Sequence, residues 1–216
     1  MDIKKENVEL LLDTPFIKVF DLKYAPGKHY YDATRRQPED IAATMTDEEF
    51  RRSVPDAVTC IVIIKERDRE PVLLMPREFR YPVGRFVLSP PAGLLDPEDK
   101  GSEEPLLSAA RREIREETGL TVKDTDRLFV CNPGLFSTPG MTDECNGMVC
   151  AVIEVGDLTE LSQKGARGSE LFDGFTFIDR HTAREMLSTG RDAEGFYYSV
   201  HIWGSLLYFL SGMWEQ

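Results

Sequence analysis

The stretch ARREIREETGL, Ala110 to Leu120, sets Arg111, Arg112 and Arg115 among Glu113, Glu116 and Glu117 and then stops on Gly119. From Ser102 to Thr118 the residues are strong helix formers, with Ser102 the expected N-cap, Pro105 in the first turn and Gly119 the C-terminal stop. On such a helix Leu107, Ala110 and Ile114 form one apolar stripe, and Glu113, Glu116 and Glu117 project from a single arc beside it. Carboxylates crowded on one arc repel one another, and two arrangements relieve the repulsion. In one, the face is solvated and the arginines offset the glutamates through local ion pairs, each worth about a few tenths of a kcal/mol. In the other, the arc holds a hard divalent cation, Mg²⁺ or Mn²⁺, which prefers oxygen ligands and turns the repulsion into binding energy. Helix composition does not choose between them.

The elements that must position this helix are legible from patterning. Alternation in FIKVFDLKY and HYYDATRR, separated by the turn signal APGK, predicts a β-hairpin. The charged segment PEDIAATMTDEEFRRSV predicts a helical insertion ending before Pro55. The runs AVTCIVIIKE and EPVLLMPREF suit central strands. RFVLSPPAGLL leads into the charged helix; DRLFVCNP, NGMVCAVIEV and DGFTFID predict later strands, and helices follow near Thr182 and Tyr198. The expectation is a mixed sheet flanked by helices, with the hairpin outside it: residues 1–54 as an N-terminal region and residues 55–216 as the main domain.

Composition narrows the function. A formal net charge of −12 over 216 residues repels the phosphates of nucleic acid and anionic membrane surfaces, so neither is an expected partner. Cys60, Cys131, Cys145 and Cys150 form no C-x-x-C pair and sit in or beside apolar runs, which predicts reduced core thiols and a cytoplasmic setting. No signal peptide is expected from MDIKKENVELLLD, and the apolar C-terminal stretch, interrupted by His201 and two glycines, reads as a docked core helix. Three histidines, no G-x-S-x-G elbow and no zinc spacing argue against a Ser/His/Asp hydrolase or a zinc enzyme.

Within residues 93–120 the order Arg112-Glu113-Ile114-x-Glu116-Glu117-x-Gly119-Leu120, with Glu104 upstream and PAG at Pro91 to Gly93, resembles the Nudix box. That box is the signature of hydrolases that cleave a nucleoside diphosphate linked to another moiety. Ten residues separate Gly93 from Glu104, more than in the family pattern, and the extra material is expected to bulge as a surface loop. REFRYPVGRFVLSPPAGLL and FSTPGMTDE are similar to segments of the ADP-ribose pyrophosphatase branch. The resemblance implies an α/β/α sandwich and a homodimer that exchanges its N-terminal β-region between subunits.

By match to the family, Glu113, Glu116, Glu117 and the Ala92 carbonyl would coordinate Mg²⁺ or Mn²⁺, and Arg112 would orient a ligand carboxylate. The resemblance places Arg80, Leu94, Tyr31, Arg36, Pro139 and Glu144 with the substrate, and puts the catalytic base on the loop GDLTELSQKGARGSELFDGF. Glu170 is the expected base, being flanked by Gly165, Gly168 and Gly174, ahead of Glu160 and Asp173. The implied reaction is Mg²⁺-dependent hydrolysis of ADP-ribose or a related nucleoside diphosphate sugar, with GDP-mannose, UDP-sugars and dinucleotides as alternative substrates. A non-catalytic nucleotide sensor is the alternative class; it fits less well, because all three box glutamates are intact.

Overall fold

The computed structural model describes residues 3–156 and 161–216. The chain forms two compact units, one comprising the chain up to Asp56 together with Gly134–Asn146, the other Ala57–Pro133 with Gly147–Gln216. Nothing in the sequence signals that Gly134–Asn146 returns to the first unit.

In the first unit, strands β1 (Val8–Asp13), β2 (Lys18–Ala25) and β3 (Lys28–Thr34) form an antiparallel sheet in the order β1-β2-β3. The predicted hairpin is β2-β3, and β1 extends it. β1 escaped notice because Leu10, Leu11 and Leu12 run together without alternation and are all exposed. Phe20 and Leu22, two apart on β2, pack on the buried Ile41. The expected helical insertion shrinks to α1 (Asp47–Arg52), preceded by short 3₁₀ turns. Thr46 and Glu49 form a reciprocal cap that starts the helix late, and α1 buries no residue that would anchor a longer one.

The second unit carries a seven-stranded sheet. Its path runs β10 (Phe172–Ile178), β5 (Val72–Arg80), β4 (Ala57–Glu66), β9 (Cys145–Val155), β8 (Arg127–Phe136); β6 (Arg85–Leu88) pairs with β5 and β7 (Ala92–Leu94) with β4. The helices are α2 (Pro97–Lys100), α3 (Pro105–Thr118), α4 (Arg180–Thr189) and α5 (Val200–Ser211). Alternation in the central strands builds three layers. Val58, Cys60, Val62 and Ile64 of β4, with Val149, Ala151 and Ile153 of β9, join Ala109, Ala110 and Ile114 of α3 in one core. Ile61, Ile63, Met148, Cys150 and Val152 point the other way and join Ala183 and Met186 of α4 and Ile202, Leu206 and Phe209 of α5. Each strand is therefore apolar on both faces, as expected for a sheet covered by helices on both sides.

Helix α3 begins at Pro105 rather than at Ser102. Pro105 takes the first helical position, where its missing N–H is no loss, and Glu104 takes the N-cap. Gly119 closes the helix in the left-handed conformation, its N–H bonded to the Arg115 carbonyl. The extra material after Gly93 is not a plain bulge: it includes α2, started by a reciprocal cap between Asp96 and Asp99. All four cysteines are free thiols, and among the described residues no helix is long and apolar enough to cross a membrane.

Candidate active site

The apolar stripe of α3 is held against β4, and this rotation carries the glutamate arc inward. Glu113, Glu116 and Glu117 are 5%, 8% and 3% exposed, so the solvated-face arrangement does not describe this helix. Burial pushes the Glu117 carboxyl up to about 9, opposed by the Ala92 N–H, which donates to its Oε1 at 3.2 Å, and reinforced by the charges of Glu78, Glu113 and Glu170. Burial likewise raises Glu113, and Arg112 partly offsets the rise. A Cβ at Gly93 on β7 would overlap the Glu113 carboxylate, so any larger residue there would push that side chain aside.

Arg112 is fastened from several sides. Its Nη2 donates to Asp99 Oδ2 and to the Leu94 carbonyl, both at 2.8 Å, and its Nη1 to Glu113 Oε1 at 2.6 Å. Burial pulls its pKa down, but the bonds and charges of Asp99 and Glu113 outweigh that and raise it. Asp99 itself is 4% exposed and also accepts from Ser108 and from the Asp96 N–H. Sequence reading missed Asp99, placing it in a featureless loop. The available signal was the spacing Asp96-Pro97-x-Asp99, a capping pattern that builds a helix and turns an acidic side chain toward α3.

Opposite α3, the even positions of β5 face the same core as Leu74, and Glu78 and Arg80 extend that face. Arg80 Nη2 lies 2.8 Å from Glu78 Oε2 and donates to Ser89 Oγ at 2.7 Å, leaving its side chain nearly half exposed. Burial raises the Glu78 pKa, Arg80 and Ser89 oppose the rise, and the Glu170 charge adds to it. Glu78 and Ser89 also went unread in sequence, although Glu78 stands two residues before Arg80, on the same side of a strand. Glu170 lies half-buried within electrostatic reach of Glu78, Glu113 and Glu117, its Oε2 accepting from the Arg167 N–H at 2.7 Å. Asp173 is exposed on β10, and Glu160 lies outside the described residues.

The donor set fits a hard divalent cation. Three buried carboxylates adjoin on α3, and Glu117 Oε2 is buried with no hydrogen-bond partner, an orphan that a cation would satisfy. Among the described residues no three His, Cys, Asp or Glu side chains form a preassembled cage, since Glu113 turns to Arg112 and Glu116 to Arg167.

The remaining residues expected at the substrate lie in the first unit. Tyr31 and Pro139 line one cavity of about 330 Å³ with Tyr30, Phe50, Phe136 and Met141. Arg36 is nearly buried and bound to Asp56 at 2.8 Å and Asp143 at 3.5 Å, whereas Arg35 pairs with Glu144 at 3.0 Å.

The second unit is thus an α/β/α sandwich whose acidic helix presents three buried carboxylates beside a clamped arginine. The NUDIX domain model matches residues 54–187, more than half of the chain, and the chain belongs to that family, the family of the Nudix hydrolases. It is 42% identical over 82 residues to an uncharacterized Nudix hydrolase of Schizosaccharomyces pombe, covering 37% of each chain. It is 32% identical over 105 residues to an ADP-ribose pyrophosphatase of Saccharomyces cerevisiae, covering 48% of this chain and 40% of that one. An ADP-sugar pyrophosphatase of Mus musculus is 29% identical over 154 residues, covering 67% and 66%. The chain therefore spans from about a third to about two thirds of the length of these curated relatives. The crystal structure of an ADP compounds hydrolase has the same fold, with a TM-score of 0.58 over 96% of this chain and 91% of that one, at 19% identity.

Proposed function

We propose that this chain hydrolyses the diphosphate bridge of ADP-ribose or a related nucleoside diphosphate sugar in the presence of Mg²⁺ or Mn²⁺, giving a nucleoside monophosphate and a sugar phosphate. The observation that carries the reading is the burial of Glu113, Glu116 and Glu117 on one helix with Glu117 Oε2 unpartnered, next to Glu78 and Glu170. The pyrophosphatase relatives support the choice of substrate class.

When bound, a divalent cation supplies charge neutralisation at the diphosphate and acidifies water. Glu113, Glu116, Glu117 and the Ala92 carbonyl would hold it. Arg112, fixed by Asp99 and the Leu94 carbonyl, keeps Glu113 in position through a charge-assisted hydrogen bond. Arg80, anchored by Glu78 and Ser89 but still open to solvent, is the residue proposed to meet a substrate phosphate. Glu170 takes the proton of the water that attacks phosphorus, as the bridging P–O bond breaks and its electrons leave with the departing phosphate. Tyr31, Arg36, Pro139 and Glu144 are proposed as substrate-contact residues of the first unit. A cytoplasmic location and a homodimer complete the proposal.

The test is a panel of ADP-ribose, GDP-mannose, UDP-glucose and a dinucleotide incubated with the protein and Mg²⁺ or Mn²⁺, with products separated by chromatography. ADP-ribose is expected to give AMP and ribose phosphate fastest. Failure to release a nucleoside monophosphate from any of these compounds would overturn the reading.

A further inference from the structure

Two arginines reach the glutamates of α3, and they are held in opposite ways. Arg112 is bonded to Asp99, Glu113 and the Leu94 carbonyl and shows only a fifth of its side chain. Arg167 comes from the loop between β9 and β10, is 64% exposed at its side chain, and places Nη2 2.6 Å from Glu116 Oε1. The approach is a charge contact without hydrogen-bond alignment, which leaves Glu116 Oε1 lacking a hydrogen bond. Among the described residues Glu116 is the one ion-pair partner of Arg167. One arginine is fixed; the other is tethered at a single point.

The backbone around Arg167 is seated on the same helix. The Ser162 N–H donates to the Thr118 carbonyl at 2.8 Å, and Gly165 lies so close to Glu116 that a Cβ would overlap its carbonyl. Arg167 also holds the expected base, because its N–H donates to Glu170 Oε2 at 2.7 Å while the Glu170 N–H returns to the Arg167 carbonyl at 3.1 Å. The residue that neutralises a cation-type glutamate is therefore the residue that orients Glu170.

We propose that Arg167 is a positioning residue that competes with the divalent cation for Glu116, docking the Glu170 loop on α3 when the cation is absent and releasing it when the cation binds. The proposal rests on the cation reading of the α3 glutamates. A cation at Glu116 supplies the positive charge that Arg167 otherwise provides, and two positive groups cannot share one carboxylate without repulsion. The guanidinium then leaves, and the loop is held only by its backbone contacts. Loss of the ion pair thus links cation occupancy to the mobility of the base without a rearrangement of the sheet.

The experiment compares the wild-type chain with Arg167→Ala and Arg167→Lys in the absence of substrate. Mn²⁺ binding is read by calorimetry, and amide hydrogen exchange over residues 161–171 is followed with and without Mn²⁺. Arg167→Ala should bind Mn²⁺ roughly twofold to fivefold more tightly, the reach of one part-exposed ion pair. In the wild type, Mn²⁺ should speed exchange in the loop; in Arg167→Ala, exchange should already be fast and insensitive to Mn²⁺; Arg167→Lys should behave as the wild type. Equal Mn²⁺ affinity in wild type and Arg167→Ala, or a loop that still responds to Mn²⁺ in Arg167→Ala, overturns the proposal and leaves the cation site standing. No Mn²⁺ binding in any of the three proteins overturns the cation reading and the proposal with it.

Discussion

Replacing Glu117 by Gln should stabilise the cation-free protein at alkaline pH while abolishing turnover. Burial holds the Glu117 carboxyl at about 9 in the fold against 4.5 for the free side chain. The folded state therefore binds a proton that the unfolded chain has released, and stability falls as pH rises from about 4.5 to about 9. At about pH 8 the gap is about 3.5 units, which bounds the penalty at about 5 kcal/mol. Reorientation of the carboxylate and entry of water lower that bound, and the amide of Gln adds a buried donor that costs about 1 to 2 kcal/mol. The expected net gain for Glu117→Gln is about 2 kcal/mol, or about 4 to 8 °C in Tm for a chain of this size. The assay is thermal unfolding by circular dichroism in EDTA at about pH 8 and about pH 5. At the lower pH the gain should vanish, since pH then exceeds the unfolded value of 4.5 by only about half a unit and the remaining penalty, under about 1 kcal/mol, is offset by the cost of the amide. A Glu117→Gln protein no more stable than wild type at either pH would refute the burial argument for this carboxylate.

Glu170→Gln should lower kcat by about two to four orders of magnitude with little change in KM, the range for loss of a general base; a rate within threefold of wild type would move the role to Glu160, Asp173 or a box glutamate. Asp99→Asn removes the charge that clamps Arg112 and should lower kcat/KM by about tenfold to a hundredfold, with a Tm loss of a few degrees; wild-type kinetics would show that Arg112 needs no such support. Sedimentation at micromolar concentration should give a homodimer, and deletion of residues 1 to 50 should impair activity; a monomer with full activity after the deletion would exclude a role for the N-terminal strands in assembly.

The sandwich was readable because its two central strands, AVTCIVIIKE and NGMVCAVIEV, are apolar on both faces, a pattern that needs helices on each side. The acidic helix was readable from residue type and spacing, but its start was not. Ser102 has the chemistry of a cap, yet Pro105 fixed the first turn and left the Ser102 hydroxyl buried without a hydrogen bond. The anchor of Arg112 was hidden for a related reason: Asp99 acts through a four-residue helix too short to leave a hydrophobic period. β1 was hidden by its run of exposed leucines. Burial of the glutamate arc was beyond the reach of composition, because the same residues on a surface helix would pair locally with Arg111, Arg112 and Arg115. The ion pair between Arg167 and Glu116 joins residues about fifty positions apart, across strands whose pairing no local pattern encodes.

The central claim is that the buried glutamates of α3 hold a divalent cation for hydrolysis of a nucleoside diphosphate sugar. Its most direct test is the rate of AMP release from ADP-ribose by the wild type and by Glu116→Gln, each with excess Mg²⁺ and with EDTA. The account predicts turnover only for the wild type with Mg²⁺, and an intact fold in both proteins. Undiminished turnover in EDTA, or in Glu116→Gln with Mg²⁺, would contradict it.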